Sequence, residues 1–377
     1  MKEIGIYVHI PFCVKKCKYC NFNSYDNMLD YQNDYLVALT NEIQSYSDNA
    51  EDCTVTTVFI GGGTPSLLTN GAISTIMAVL KKNYTISKSA EITIESNPNS
   101  ITLDKAYEWH RCGINRVSVG LQSSKNNLLK LIGRVHDKVD YVNAMSVLHT
   151  AGFENINTDI MIGLPAQKQS DVRSTLNLAV KLGSTHISAY SLILEEDTTL
   201  YEEVNSGRVK LPKEEKVVSM YDYTCKYLAK CGLYRYEVSN FARPGRECRH
   251  NLNCWSMKEY LGFGAGAHSF FDGVRYSNFD HIPEYIKGIE DGSAVETREK
   301  LSKSELLEES IMLGLRKVEG VKLGFIKKHF GVDLMMTKND IITKYIDLGL
   351  LRLENDYLSA TDEGFKVLNT IILDIVY

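Results

Sequence analysis

Three cysteines crowd the start of the chain. Cys13, Cys17 and Cys20 fall in PFCVKKCKYCNFN (11–23), spaced three and then two residues apart. Thiolates this close can share a metal. Four thiolates, or three with a histidine, close a structural zinc site, but zinc knuckles usually bring pairs from separate places. A triad from one loop suits a [4Fe–4S] cluster better, with one cysteine on each of three irons. The fourth iron then has no protein ligand and is open to a substrate or cofactor. Lys15, Lys16 and Lys18 stand among the cysteines and favour a net negative cluster. Phe22 occupies the position where a further cysteine could follow. The chain has nine cysteines, an odd and irregularly spread number, so a disulfide framework is not expected. Cys53, Cys112, Cys225 and Cys231 read as small buried or surface residues.

A second set of polar groups closes a series of apolar, β-branched segments. The segments 4–10, 54–62, 90–96, 116–122, 157–164 and 186–193 read as strands. Five of them finish in Gly61-Gly62-Gly63-Thr64, Glu95, Gln122, Asp159 and Tyr190-Ser191. Between the strands, apolar residues recur at three and four over 31–47, 72–83, 103–113, 139–153 and 170–183, the spacing of amphipathic helices. Alternating strands and helices predict parallel βαβ units in an α/β fold. Polar residues at the strand ends then gather at one face of a barrel-like sheet.

From residue 300 the pattern changes to amphipathic helices, a turn at Asn355-Asp356 between two strands, and a last helix, the order of a small winged-helix-like domain. Residues 301–377 carry 10 Lys and Arg against 12 Asp and Glu, a net of −2. A DNA reader needs a basic footprint, so this part is expected to pack or to interact with protein, not with nucleic acid. The whole chain, 377 residues at net charge −5, has no positive field for nucleic acid or anionic lipid. The start MKEIGIYVHIPF lacks the apolar run of a signal peptide, and no run reaches the roughly 20 residues of a transmembrane segment. A cytoplasmic location, with reduced thiols, is expected.

The stretch Tyr7-Val-His-Ile-Pro-Phe-Cys13-x3-Cys17-x-Tyr19-Cys20 resembles the radical S-adenosylmethionine (SAM) superfamily, whose open iron chelates the amino and carboxylate groups of SAM. The resemblance runs through nearly the whole chain. It points to the branch that holds oxygen-independent coproporphyrinogen III oxidase and related haem chaperones. The fold it implies is an open (β/α)6 partial TIM barrel with a C-terminal helical domain. The expected division is a core at 1–240, a connecting segment at 241–299 and a C-terminal domain at 300–377. By the same resemblance Cys13, Cys17 and Cys20 ligate the cluster. Tyr7, Tyr19, Gly62, Gly63, Thr64, Glu95, Gln122, Arg134, Asp159 and Ser191 contact SAM.

Two features separate this chain from the oxidase side of the branch. Phe22, followed by Asn23-Ser24, replaces the oxidase's fourth cysteine, and the chain begins six residues before Tyr7. Conversion of coproporphyrinogen is therefore not expected. RHNLNCW (249–255) resembles the chaperones' His-Asn-x-x-Tyr-Trp motif, which makes His250 the candidate haem ligand. Trp255 could pack on the macrocycle, and a neutral imidazole is a sound ligand for haem iron. Cys254 stands where tyrosine is usual. Cys248 and Cys254 flank His250, but no Cys-x-x-Cys-His attachment sequence is present. His268, in the glycine-rich GFGAGAHS (262–269), is a second candidate, and His9 is expected to hydrogen-bond near the cluster. The GFGAGAHS spacing is not that of a dinucleotide fingerprint. The function these features imply is a haem chaperone that binds a [4Fe–4S] cluster, SAM and haem and passes haem to an acceptor protein. A second copy of the chain is a further candidate partner. The rival is a radical enzyme acting on a porphyrinogen.

Overall fold

The computed structural model describes residues 1–377. β1 (Lys2–Ile10) leads through the cysteine loop to α1 (Gln32–Ser45). β2 (Cys53–Gly62) is followed by α2 (Ala72–Asn83), and β3 (Ile86–Ser96) by α3 (Leu103–Cys112). β4 (Arg116–Gln122) is followed by α4 (Asn126–Leu131) and α5 (Lys138–Thr150), and β5 (Ile156–Ile162) by α6 (Gln169–Lys181). β6 (His186–Ser191) precedes α7 (Thr199–Asn205) and α8 (Glu214–Lys230). β1 to β6 are parallel and pair in sequence order. These are the parallel βαβ units that the strand and helix spacing predicts, in the open (β/α)6 arrangement that the resemblance implies.

Alternation along each strand sorts the residues by face. Ile6, Val8, Val58, Ile60, Ile92, Ile94, Val117, Val119, Ile160 and Ile162 are buried, and with residues of the covering helices they form one core of 55 buried residues. Burying each such side chain contributes about 1.5–3 kcal/mol. The alternate positions are polar: Thr57 on β2, Glu91, Thr93 and Glu95 on β3, Arg116 and Ser118 on β4, Asn157 and Asp159 on β5, His186 and Ser188 on β6. They bond to one another across strands, as Asn157 Nδ2 does to Ser118 Oγ at 2.8 Å and to Ser188 Oγ at 3.0 Å. The inside of the barrel is thus a polar chamber. Local signals set the helix limits. Thr102 accepts from Lys105 N at the start of α3, and Gly113 ends it with a left-handed φ of 102°. Asp137 and Asp140 form a capping box on α5.

The stretch expected to be a connection builds more of the sheet than its sequence suggests. It follows β7 (Tyr234–Arg235). It contains β8 (Asn240–Ala242), α9 (Arg249–Trp255), β9 (Tyr260–Phe263), β10 (His268–Phe271), β11 (Val274–Asn278), α10 (Ile282–Glu290) and β12 (Val295–Lys300). β8 and β7 extend the sheet beyond β6, and β9 to β12 extend it beyond β1, giving twelve strands. These strands are short and interrupted by glycine, so alternation alone does not reveal them. Between β8 and β9 the chain must cross from one edge of the barrel to the other, and α9 lies on that crossing.

The C-terminal part has its own core of 15 buried residues, separate from the barrel's, so it is a second packed unit. It holds α11 (Lys303–Gly314), β13 (Val321–Lys322), α12 (Leu323–Phe330), α13 (Leu334–Thr337), α14 (Asn339–Asp347), β14 (Leu351–Glu354), β15 (Tyr357–Ala360), α15 (Asp362–Lys366) and α16 (Leu368–Val376). Its sheet order is β13-β15-β14. Asn355 and Asp356 turn the β14–β15 hairpin with φ of 51° and 72°, the left-handed pair that a two-residue hairpin needs. Arg275 of β11 grips Glu309 of α11 through both terminal nitrogens, at 2.8 and 2.7 Å, and ties this unit to the barrel. No helix is long and apolar enough to cross a membrane.

Candidate functional site

The cysteine loop leaves β1 and is clamped at several points. Cys13 N donates to Tyr25 O, Tyr25 N to Pro11 O, and Lys18 N to Ile132 O. All three thiols are half-buried. Cys13 Sγ lies 3.6 Å from Thr64 Oγ1, and Arg134 Nη1 donates to Cys17 Sγ over 3.6 Å. Burial raises the Cys13 and Cys20 thiols. Cys13 lies near enough to Cys17 and Cys20 to feel both charges. Three thiolates from one loop suit a [4Fe–4S] cluster, which takes each on a different iron.

Opposite the loop, the strand ends supply an ordered ring. Glu95 Oε2 accepts from Gly62 N at 3.1 Å. Gly61 has no room for a side chain, since an added Cβ would sit 2.7 Å from that same oxygen. Gly62 takes a φ of 112°, open to glycine alone among ordinary residues, with His9 packed against it. Gly63 N and Thr64 N donate to Ile10 O and Phe12 O, which joins this turn to the start of the cysteine loop. Asn97 Nδ2 donates to Thr64 Oγ1 at 3.1 Å. Arg134 reaches across: Nη2 donates to Asn97 Oδ1 and to Gly120 O. Gln122 ends β4 with a φ of 61° beside a register shift in the β4–β5 pairing. A non-glycine residue held there stores backbone strain.

Burial pushes the Glu95 carboxyl up to about 7, with Asp159 adding repulsion. Asp159 accepts from Ser118 Oγ at 2.9 Å and Asn157 Nδ2 at 2.8 Å, and burial raises its carboxyl too. His9 is kept neutral by burial. Its Nε2 lies 2.8 Å from Asn23 O, so that nitrogen donates and Nδ1 accepts from Tyr7 Oη at 2.9 Å. Tyr19 packs with Leu128, Ile132 and Leu164 beside Arg134. Ser191 sits exposed at the end of β6.

The strand-end face therefore gathers the three cysteines with Tyr7, Tyr19, Gly62, Gly63, Thr64, Glu95, Gln122, Arg134 and Asp159, and Ser191 stands at its rim. His250 lies elsewhere. Glu91, on the same face of β3 as Glu95 but four residues earlier, accepts from Arg249 N at 3.0 Å and His250 N at 3.1 Å. It thereby caps α9 at the opposite end of the chamber. His250 Nδ1 is 3.0 Å from Thr57 Oγ1, and the ring stacks on Phe59 at 5.2 Å. Burial lowers its pKa to about 4, so the imidazole is neutral. His268 is exposed on β10. The glycine-rich segment meets the cysteine loop, because an added Cβ on Gly266 would lie 2.2 Å from Asn23 Nδ2.

Asn97, Glu91 and Asn23 were not among the expected site residues. Asn97 follows Glu95 in ESNP, and Glu91 repeats its alternation, so the sequence signal was present for both. Asn23 bonds to Ala265 O and Asp280 O, more than 240 residues away in sequence, and nothing local signals that.

The Radical SAM superfamily profile matches residues 7–179, and that of the HemN C-terminal domain matches 301–367. In fold, the chain superposes on coproporphyrinogen III oxidase (HemN) from Escherichia coli, a radical SAM enzyme, with a TM-score of 0.86. The match covers 99% of this chain and 90% of that one at 22% identity, and it establishes the shared fold. The fold and the cysteine loop thus define a radical SAM protein of the HemN-like architecture. The chain is 34% identical over 360 residues to heme chaperone HemW of Bacillus subtilis, covering 95% of both chains. It is 35% identical over 370 residues to heme chaperone HemW of Lactococcus lactis, covering 98% of this chain and 96% of the relative. It belongs to the HemW family.

Proposed function

We propose that this protein is a haem chaperone. It binds a [4Fe–4S] cluster through Cys13, Cys17 and Cys20, SAM at the open iron and the strand ends, and haem at the α9 segment that carries His250, Asn251 and Trp255. It then passes haem to an acceptor protein in the cytoplasm. The observation that carries this reading is near-full-length identity with proteins named heme chaperone HemW. Phe22 at the position of the oxidase's extra cysteine points the same way.

When bound, the cluster supplies an iron with a free coordination position and a site for one electron. The protein's own groups do the rest. Glu95, once ionised, would take the positive amino group of SAM, and the missing side chains of Gly62 and Gly63 let His9 and the backbone of Ile10 and Phe12 pack against this turn and hold it beside Glu95. Arg134 would offset the Cys17 thiolate while staying fixed by Asn97 and Gly120. Tyr7, held by neutral His9, closes the chamber beside Glu95. The test is anaerobic incubation of reconstituted protein with haemin, SAM and reductant, followed by its absorption spectrum and by SAM products. About one haem per chain supports the reading. No haem binding by protein with its cluster intact would sink it.

A further inference from the structure

The inside of the barrel holds one fixed positive charge. Along β1 to β6 the inward positions carry carboxylates at Glu91, Glu95 and Asp159, and Arg116 at the start of β4 is the only lysine or arginine among them. His9, His186 and His250 add no charge, because burial holds each imidazole neutral. Arg116 is 2% exposed, and its Nε finds no hydrogen-bond partner. The charges of Glu91 and Asp159 reach it, yet it hydrogen-bonds to neither. Glu91 already accepts from Arg249 N and His250 N, and Asp159 from Ser118 and Asn157. Burying a guanidinium without a partner is costly, and perturbed charges of this kind cluster at functional sites. An arginine locked to one carboxylate is neutralised there. An unpaired one in a low-dielectric interior acts on every acid around it.

Register sets which acids those are. Arg116 pairs with Thr93 across β3 and β4, and the next inward pair up the same two strands is Glu95 with Ser118. Ser118 Oγ in turn holds Asp159 at 2.9 Å. Arg116 therefore lies one layer beneath both carboxylates of the strand-end face. We propose that Arg116 is a positioning residue for SAM: its unpaired charge keeps Glu95 ionised, and so readies the strand-end face for the amino group. The proposal rests on the reading that Glu95 takes that group, and it names what sets the charge of Glu95. Arg134 does not share this role, because it is committed to Asn97, Gly120 O and Cys17 at the mouth. Around Glu95, Asp159 of β5 repels its charge and Arg116 of β4 attracts it, while Gly62 N of β2 donates to it. Tyr7 of β1 and Tyr190 of β6 face it as protonated phenols. Around Arg116, besides Glu91 and Asp159, stand Cys248 and Tyr236, both kept protonated by burial. The charge of Glu95 is thus balanced between one neighbouring anion and one neighbouring cation. Removing the cation tips the balance to the neutral acid, which has no charge to offer an amino group.

The test is SAM titration of the full-length, cluster-loaded protein across about pH 5.5–8.5, with Arg116→Gln and Arg116→Lys beside the parent. Arg116→Gln should move the midpoint of SAM affinity upward by about one pH unit, the usual result of losing a nearby opposite charge. Iron and sulfide should be unchanged, and affinity should recover toward the alkaline end. Arg116→Lys keeps the charge and should keep the parent midpoint. In a Glu95→Gln background, Arg116→Gln should shift nothing further. The parent midpoint in Arg116→Gln, or affinity lost equally at every pH, would overturn the proposal. So would an Arg116→Lys midpoint displaced upward by about one unit, and that variant decides should Arg116→Gln fail to fold. A parent profile as flat as that of Glu95→Gln would instead remove the reading of Glu95.

Discussion

Two glutamates on one strand mark the contrast between the ends of the barrel. Glu95 holds a single backbone N–H, that of Gly62, and stays half-buried beside Asp159 with its carboxyl raised to about 7. Glu91, on the same face of β3, takes two backbone N–H groups of α9 and the Cys248 thiol. The first carboxylate has capacity to spare and faces a turn without side chains. The second is saturated and closes the floor. The histidines differ the other way: His9 spends both ring nitrogens, on Tyr7 Oη and Asn23 O, whereas His250 bonds through Nδ1 alone, to Thr57 Oγ1. Residue type and strand position thus do not tell the two ends apart; what each polar group has already bonded to does.

The largest effect that could break this contrast is loss of the cluster. Changing Cys13, Cys17 and Cys20 together to alanine should abolish the roughly four irons and four sulfides per chain expected of a [4Fe–4S] protein. Stoichiometric zinc without sulfide in the parent protein would refute the cluster. Next, Glu95→Ala should weaken SAM binding by about 1–3 kcal/mol, the cost of leaving a buried polar partner unmatched. Iron content should stay the same, and unchanged SAM affinity would show that the strand-end face was misread.

The raised Glu95 carboxyl sharpens this through pH. The folded chain keeps that proton up to about pH 7, while an unfolded glutamate loses it near 4.5. Folding therefore takes up a proton within that window, and this group's contribution to stability falls as pH rises through it. SAM binding should move the opposite way, because its amino group needs the carboxylate, and should strengthen as pH rises toward and past 7. Isothermal titration across pH 5.5–8.5 (about half a unit per step) checks this, and Glu95→Gln should flatten the profile. The smallest effect concerns the floor. Glu91→Gln should leave SAM affinity untouched and lower stability by about 1–2 kcal/mol, through a weakened charge at the start of α9. Thermal unfolding would show it. A large loss of SAM affinity would mean that the two ends are not separate.

Much of this was legible beforehand where the chain repeats a period. Strands at 54–62, 90–96 and 116–122 and their covering helices follow from alternation and three-four spacing. The strand-end residues Glu95, Gln122 and Asp159 follow as their last polar members. The cysteine loop declares itself by spacing alone. What the sequence hides is set by distant partners. The inward turn of His250 depends on Thr57, 193 residues away, and no local signal of a seven-residue helix says which face it buries. The strands from Tyr260 to Lys300 are short and glycine-broken; β9 pairs with β1, and β10 to β12 add outward from it.

The cluster loop and α9 lie at opposite ends of one barrel, and the proposed function puts the cluster at the first and haem at the second. The most direct measurement is anaerobic haemin titration of the reconstituted protein and of the cluster-free variant with all three loop cysteines changed to alanine. Two separate ends predict about one haem per chain in both, with matching Soret bands. Haem binding that disappears with the cluster, while the fold is retained, would contradict the claim and move haem to the cluster face.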